Sequence, residues 1–129
     1  MSNKKIVTEF MLPASKVAIT DSNASLKKAL ELMTAFSLGV CLFRNENGSL
    51  EGILTDGDLR RLILKVQNPL PALLVTDAIE FGTRNPHTAG SHDEISTAID
   101  LMDKNRIWDL PVIGPDRNIL GLLNRHNLG

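Results

Sequence analysis

Residues 50–59, Leu50-Glu51-Gly52-Ile53-Leu54-Thr55-Asp56-Gly57-Asp58-Leu59, return without a gap at 119–128. The second run is Ile119-Leu120-Gly121-Leu122-Leu123-Asn124-Arg125-His126-Asn127-Leu128. The same offset of 69 residues lays Leu26, Ala29, Leu30, Leu32 and Met33 on Ile95, Ala98, Ile99, Leu101 and Met102. A repeat of this length decides how everything else is read. Two copies of one unit can bury their apolar faces about a pseudo-two-fold axis. Clefts between packed units are where small molecules bind.

Outward from that repeat, the local signals are consistent in both copies. Val17 to Thr20 reads as a short strand, and Asp21 to Ser25 offer several N-caps. Apolar residues at helical spacing then predict an amphipathic helix over about 25–36. Gly39 to Phe43 reads as a buried strand, Asn45-Glu46-Asn47-Gly48 as a turn, and Leu50 to Leu54 as the partner strand. Thr55 opens a second helix, which Asn68-Pro69-Leu70-Pro71 breaks. In the second copy, Thr76 to Ile79 reads as a helical turn and Asn85 to Thr88 as extended chain. A helix over about 93–105, a strand at 110–113, a Gly-Pro-Asp-Arg turn and a strand at 119–123 follow. Val7 to Met11 matches Val75 to Ile79, so each copy has a lead-in turn. Each unit is β-α-β-β-α, an α/β (α+β) sandwich, with copy one over 1–68 and copy two over 69–129.

Size and charge exclude several classes of function. A chain of 129 residues forms one compact module that buries roughly two-thirds of its unfolded surface. Net charge is −1, so no bulk field draws nucleic acid or membrane. Four Phe, one Trp and no Tyr provide few stacking platforms for single strands. One Cys permits neither an internal disulfide nor a thiolate metal cluster. No apolar run is long enough to span a membrane, and MSNKKIVTEF lacks a signal-peptide core, so a cytoplasmic domain is expected.

The order lead-in turn, strand, helix, hairpin and Gly-hydrophobic-x-Thr-x-x-Asp resembles the CBS (cystathionine-β-synthase-type) domain, and two copies resemble a CBS pair. GILTDGDLRR at 52–61 and the ending Arg125-His126-Asn127-Leu128 are similar to a narrower group. They resemble the C-terminal CBS pair of bacterial arabinose-5-phosphate isomerases of the KpsF/GutQ type. Some sugar-nucleotide transferases carry a similar TDGD stretch.

Thr55 and Asp58 then have two readings. In the first, Asp58 accepts hydrogen bonds from both hydroxyls of a ribose while Thr55 bonds the sugar or an adjoining phosphate, beside a helix N-terminus that favours anions. In the second, the pair is a capping box, with Thr at the N-cap and an acid three residues on. The readings are partly compatible, because a cap fixes both side chains at a cleft mouth. In the second copy these positions are Asn124 and Asn127, and neither carries a carboxylate. The second cleft is therefore expected to be degenerate.

The resemblance implies that the motif of one copy faces the first and second strands of the other. Thr55 and Asp58 would then face His87-Thr88 and Ile107-Trp108-Asp109, with Ile53 and Ile107 packing on the base. Trp108 is either a wall of the base pocket or a core or dimer contact. Arg60, Arg61, Arg84, Arg106 and Arg125 are candidate phosphate partners, each equally readable as a solvated surface arginine. His87, His92 and His126 do not form a metal site, and Cys41 reads as a small buried hydrophobe. No catalytic constellation is present in the sequence.

The resemblance also implies a regulatory module rather than an enzyme. Its effector would be AMP, ADP or ATP, or else CMP or a CMP-sugar, since Kdo is activated as its CMP derivative. It would be attached to, or partnered with, a sugar-isomerase (SIS) domain supplying Kdo for lipopolysaccharide or capsule, and would dimerise through its helices. The rival readings are a ligand-free dimerisation module and a free-standing adenine-nucleotide sensor.

Overall fold

The computed structural model describes residues 4–128. Met1 to Asn3 and Gly129, the outer ends of the two expected repeats, lie outside the described residues. In chain order the regular elements are β1 (Leu12–Pro13), β2 (Ala18–Asp21), α1 (Leu26–Phe36), β3 (Val40–Arg44), β4 (Leu50–Thr55) and α2 (Asp56–Lys65). They continue with α3 (Leu70–Leu74), β5 (Thr83–Arg84), β6 (Ala89–Gly90), α4 (Ile95–Asn105), β7 (Asp109–Ile113) and β8 (Ile119–Asn124). Short 3₁₀ turns occupy Val7–Glu9, Ala14–Lys16, Ala78–Phe81, Pro115–Arg117 and Arg125–Leu128. The fold is mixed α/β, with two four-stranded sheets.

The chain divides into two compact units, residues 17–86 and residues 4–16 with 87–128. In the first, the strand order is β2-β3-β4-β5. β2 runs parallel to β3, which forms a hairpin with β4. Period-two alternation gives the sheet a helix-facing side. Ala18, Cys41 and Leu54 lie in register across three strands, and Phe43 sits opposite Gly52. Ala18, Cys41, Phe43 and Leu54 cluster with Leu26, Ala29 and Met33 of α1 and Leu62 of α2. α1 starts cleanly because the Ser25 Oγ accepts from the Lys28 N–H at 3.2 Å.

The second unit repeats this plan with strand order β1-β8-β7-β6. Leu110 pairs with Leu123 and Val112 with Gly121, at the repeat positions of Cys41–Leu54 and Phe43–Gly52. Val7, Ala98 and Met102 close this core. Both long helices end on a left-handed residue, Ser37 and Arg106, each at φ 55°. Two non-glycine residues in this region at equivalent places show how closely the copies follow one backbone path.

Packing unit and sequence repeat divide the chain differently. The lead-in turn Val7–Glu9 belongs to the unit of the second repeat's sheet, and the turn Ala78–Phe81 to that of the first. A glycine admits each. A Cβ on Gly52 would meet the Ile79 side chain at 2.8 Å. A Cβ on Gly121 would meet the Leu12 carbonyl oxygen at 2.2 Å and the Met11 sulfur at 3.0 Å. Met11 and Ile79 are themselves equivalent in the two lead-ins.

Two local details differ from expectation. α2 does end at Lys65, but the proline-rich stretch goes on to start a new helix, α3, with a proline in its first turn and Leu73 buried. Proline is tolerated there because first-turn N–H groups have no helical partner anyway. The helix expected from about 93 opens at Ile95, and ahead of it the His92 ring Nδ1 is 3.2 Å from the Ser91 hydroxyl. Cys41 is fully buried, and burial pushes its thiol up to about 12. That leaves negligible thiolate at neutral pH, so the residue acts as a small hydrophobe.

Candidate functional site

β4 delivers Thr55 to the start of α2 in extended backbone, φ −124° and ψ 164°. The Thr55 Oγ1 accepts from the Asp58 N–H at 3.3 Å. In return the Asp58 Oδ2 accepts from the Thr55 N–H at 2.9 Å and the Thr55 hydroxyl at 3.1 Å. The capping box is therefore formed, and it fixes the acid. The Asp58 side chain is only 13% exposed, while Arg61 Nη2 donates to its Oδ1 at 2.6 Å. The carboxylate sits at the positive end of a ten-residue helix, where anionic groups are favoured.

Ile53, one residue upstream of Leu54, points to the sheet face away from the helices and is 6% exposed. Ile53, Thr55 and Asp58 all belong to the unit of residues 17–86. His87, Thr88, Ile107, Trp108 and Asp109 belong to the other unit, as do Asn124 and Asn127. Within that second unit, Trp108 precedes Asp109, which opens β7 after the turn that ends α4. His87 is exposed and Thr88 half-buried in unpaired chain just before β6.

The second copy shows what happens when the motif loses its acid. The Asp56 N–H donates to the Gly39 carbonyl at 3.0 Å, and at equivalent positions the Arg125 N–H donates to the Trp108 carbonyl at 2.8 Å. The backbone corner is thus the same, but its side chains differ. The Asn124 amide donates to Asp109 Oδ1 at 2.8 Å, and its oxygen accepts from the His126 N–H at 3.0 Å. Asn127 lies exposed on a 3₁₀ turn.

Where Asp56 lies over Gly39 in the first copy, an aromatic pair stands in the second. Trp108 is 57% exposed and stacks on the His126 ring, with centroids 4.8 Å apart and planes 14° from parallel. The pair borders an open groove of about 580 Å³, lined also by Met102, Asp103, Arg106 and Ile107. The stack was missed at the sequence level. Its only signal was that Gly39 and Gly57, small in copy one, become Trp108 and His126 in copy two.

The candidate arginines separate. Arg84 lies between Glu80 (2.8 Å) and Glu51 (3.5 Å), and Arg125 pairs with Asp103 at 3.2 Å. Arg60 and Arg106 are exposed. Of the five, Arg61 is the one bonded to the motif acid. Among the described residues, no group of three or more His, Cys, Asp or Glu side chains could hold a metal ion, and no helix is long and apolar enough to cross a membrane.

The fold is a duplicated sheet-and-helix unit in which the first copy carries a Thr-x-x-Asp corner. The CBS domain family matches residues 7–65 and 78–128, most of the chain, and the chain belongs to that family. It is similar to the arabinose 5-phosphate isomerase KdsD of Francisella tularensis subsp. tularensis, 29% identical over 122 residues, covering 95% of this chain and 36% of that protein. It is also similar to the arabinose 5-phosphate isomerase KpsF of Escherichia coli, 32% identical over 101 residues, covering 78% of this chain and 30% of that protein. The chain thus spans about a third of the length of these curated relatives. Among solved structures, the CBS-pair protein CBSX2 of Arabidopsis thaliana, solved in complex with AMP, superposes with a TM-score of 0.81 at 24% identity, covering 95% of this chain and 92% of that one.

Proposed function

We propose that this chain is a nucleotide-binding regulatory module, not an enzyme, and that its parent protein is a cytoplasmic arabinose-5-phosphate isomerase with a SIS domain. The observation that carries the reading is the Thr55–Asp58 corner, a carboxylate held in place at a helix N-terminus within a CBS repeat. Asp58 is the group for a ribose diol and Thr55 the group for the sugar or phosphate. Ile53, His87, Thr88, Ile107, Trp108 and Asp109 complete the candidate set, and Asn124 and Asn127 mark the degenerate copy. The AMP bound by CBSX2 supports an adenine nucleotide as effector, with CMP or a CMP-sugar as the pathway alternative. Similarity to KdsD along 95% of the chain and to KpsF along 78% of it supports the isomerase parent, and through it a role in supplying Kdo.

The test is a thermal-shift and fluorescence titration with AMP, ADP, ATP, CMP and a CMP-sugar. One of them should raise the melting temperature, since a ligand selective for the folded state stabilises it by mass action. The same titration should change emission from Trp108, the lone tryptophan. Saturation at one equivalent per chain fits the asymmetric motifs. No shift with any of the five, or two equal sites, would overturn the reading.

A homodimer through the helical face is also part of this proposal. Ile63 (76% exposed), Leu64 (80%), Leu70 (63%) and Val75 (78%) leave α2, α3 and the residue after it with exposed apolar surface. Burial of such a patch in a partner copy would remove its contact with water. Sedimentation of the chain as a monomer at high concentration would refute it.

A further inference from the structure

Both Asp58 carboxylate oxygens already accept hydrogen bonds. Oδ2 is taken by the Thr55 N–H and hydroxyl, and Oδ1 by Arg61 Nη2 at 2.6 Å, the shortest bond of the set. If Asp58 is the ribose-binding acid proposed above, on which this inference rests, a sugar diol must share or displace the Arg61 bond. The two sides of the carboxylate differ in how readily they yield. The Thr55 bonds belong to the helix cap and tie the acid to backbone. Arg61 is 54% exposed on a long flexible side chain, whereas Asp58 is 13% exposed. The carboxylate is the fixed member and the guanidinium the one that can leave.

Helix geometry also aims the guanidinium at the mouth of the site. Side chains lean toward the helix N-terminus, and residues three apart share a face. Arg61 therefore reaches back over the first turn of α2. The lane it follows is open because position 57 is glycine. A Cβ there would stand 3.3 Å from Arg61 Nη1, tighter than ordinary packing. A bound nucleotide brings a second anion, its phosphate, to the same helix start. Two anions so close repel unless a cation stands with them.

We propose that Arg61 is a latch on Asp58 and the residue that selects nucleotides over nucleosides. With the site empty, its guanidinium pairs with the carboxylate. When a ribose takes the carboxylate, the guanidinium turns to the ligand's phosphate, where its fork geometry suits the oxyanion. A nucleoside must share or displace the Arg61 bond and offers the guanidinium no phosphate in return.

The test is calorimetric titration of adenosine and AMP, and of cytidine and CMP, into wild type, Arg61→Gln and Arg60→Gln, with circular dichroism to verify the fold. In Arg61→Gln the nucleoside should bind about two- to five-fold more tightly, the worth of an exposed ion pair. The nucleotide should bind about ten-fold more weakly or worse, the worth of a charge-assisted bond. The preference for the phosphate should therefore collapse, while Arg60→Gln retains it. Equal weakening of both ligands, no change in either, or transfer of the effect to Arg60→Gln overturns the latch while leaving the nucleotide site standing. Failure of wild type to bind any of the four overturns the site and the latch together.

Discussion

Gly121→Ala should destabilise the chain by about 3 kcal/mol or more, beyond the usual range for a single added methyl. The new Cβ would fall 2.2 Å from the Leu12 carbonyl oxygen and 3.0 Å from the Met11 sulfur. The methionine end can rotate away, but the carbonyl cannot, because β1 is paired with β8 through Leu12–Leu122 and Pro13–Gly121. Relief of the clash requires β1 to leave the sheet edge, taking with it the segment that carries buried Val7. Gly52→Ala is the matched control. Its Cβ would meet Ile79 Cδ1 and Cγ1, both at 2.8 Å, on a side chain rather than on backbone, and a carbonyl only at 3.0 Å. It should cost about 1–2 kcal/mol. Urea unfolding of the two variants measures the difference. A Gly121→Ala midpoint as high as that of Gly52→Ala would show that β1 is not held as described.

These two glycines also mark the boundary of what the sequence makes legible. Both were visible as part of the repeat, but nothing local told why they were glycine. The reason is a contact with a lead-in segment more than 25 residues away in one case and more than 100 in the other (Gly52 with Ile79, Gly121 with Met11). Elements set by short-range rules were readable. The 3.6-residue spacing of α1 and α4, the hairpin signals and the Thr55 cap all follow from neighbours within four residues. α3 was not readable, since its prolines signal a break and only the burial of Leu73 reveals why a helix resumes. In the candidate site, Thr55 and Asp58 were identified because their chemistry is local. Arg61 was one of five equal candidates until its bond to Asp58 singled it out. The Trp108–His126 stack needs the turn at the end of β8 to fold back on the start of β7, which the Arg125–Trp108 backbone bond accomplishes.

Asp58→Asn separates a ribose-binding acid from a mere helix cap, because the two roles fail in different measurements. As a cap, the residue accepts from the Thr55 N–H and hydroxyl through Oδ2 and from Arg61 through Oδ1. Asparagine retains one oxygen. If that oxygen stays with Thr55, the amide faces Arg61, and a donor then meets a donor. The helix also loses a negative charge from its first turn, which still retains Asp56. These losses together should cost about 1–2 kcal/mol, lowering the melting temperature by a few degrees. A ribose diol loses more than that. Its two hydroxyls are donors that need two acceptor oxygens on one rigid group, and asparagine offers one oxygen and a competing donor. Binding of the effector nucleotide should weaken about ten-fold or more at a temperature where the variant remains folded. The combination of a modest stability loss and a large affinity loss is the signature of the acid acting on ligand. A variant that melts lower yet binds nucleotide as tightly as wild type would mean that Asp58 only starts a helix, and the ligand contacts would have to be sought among the other candidate residues.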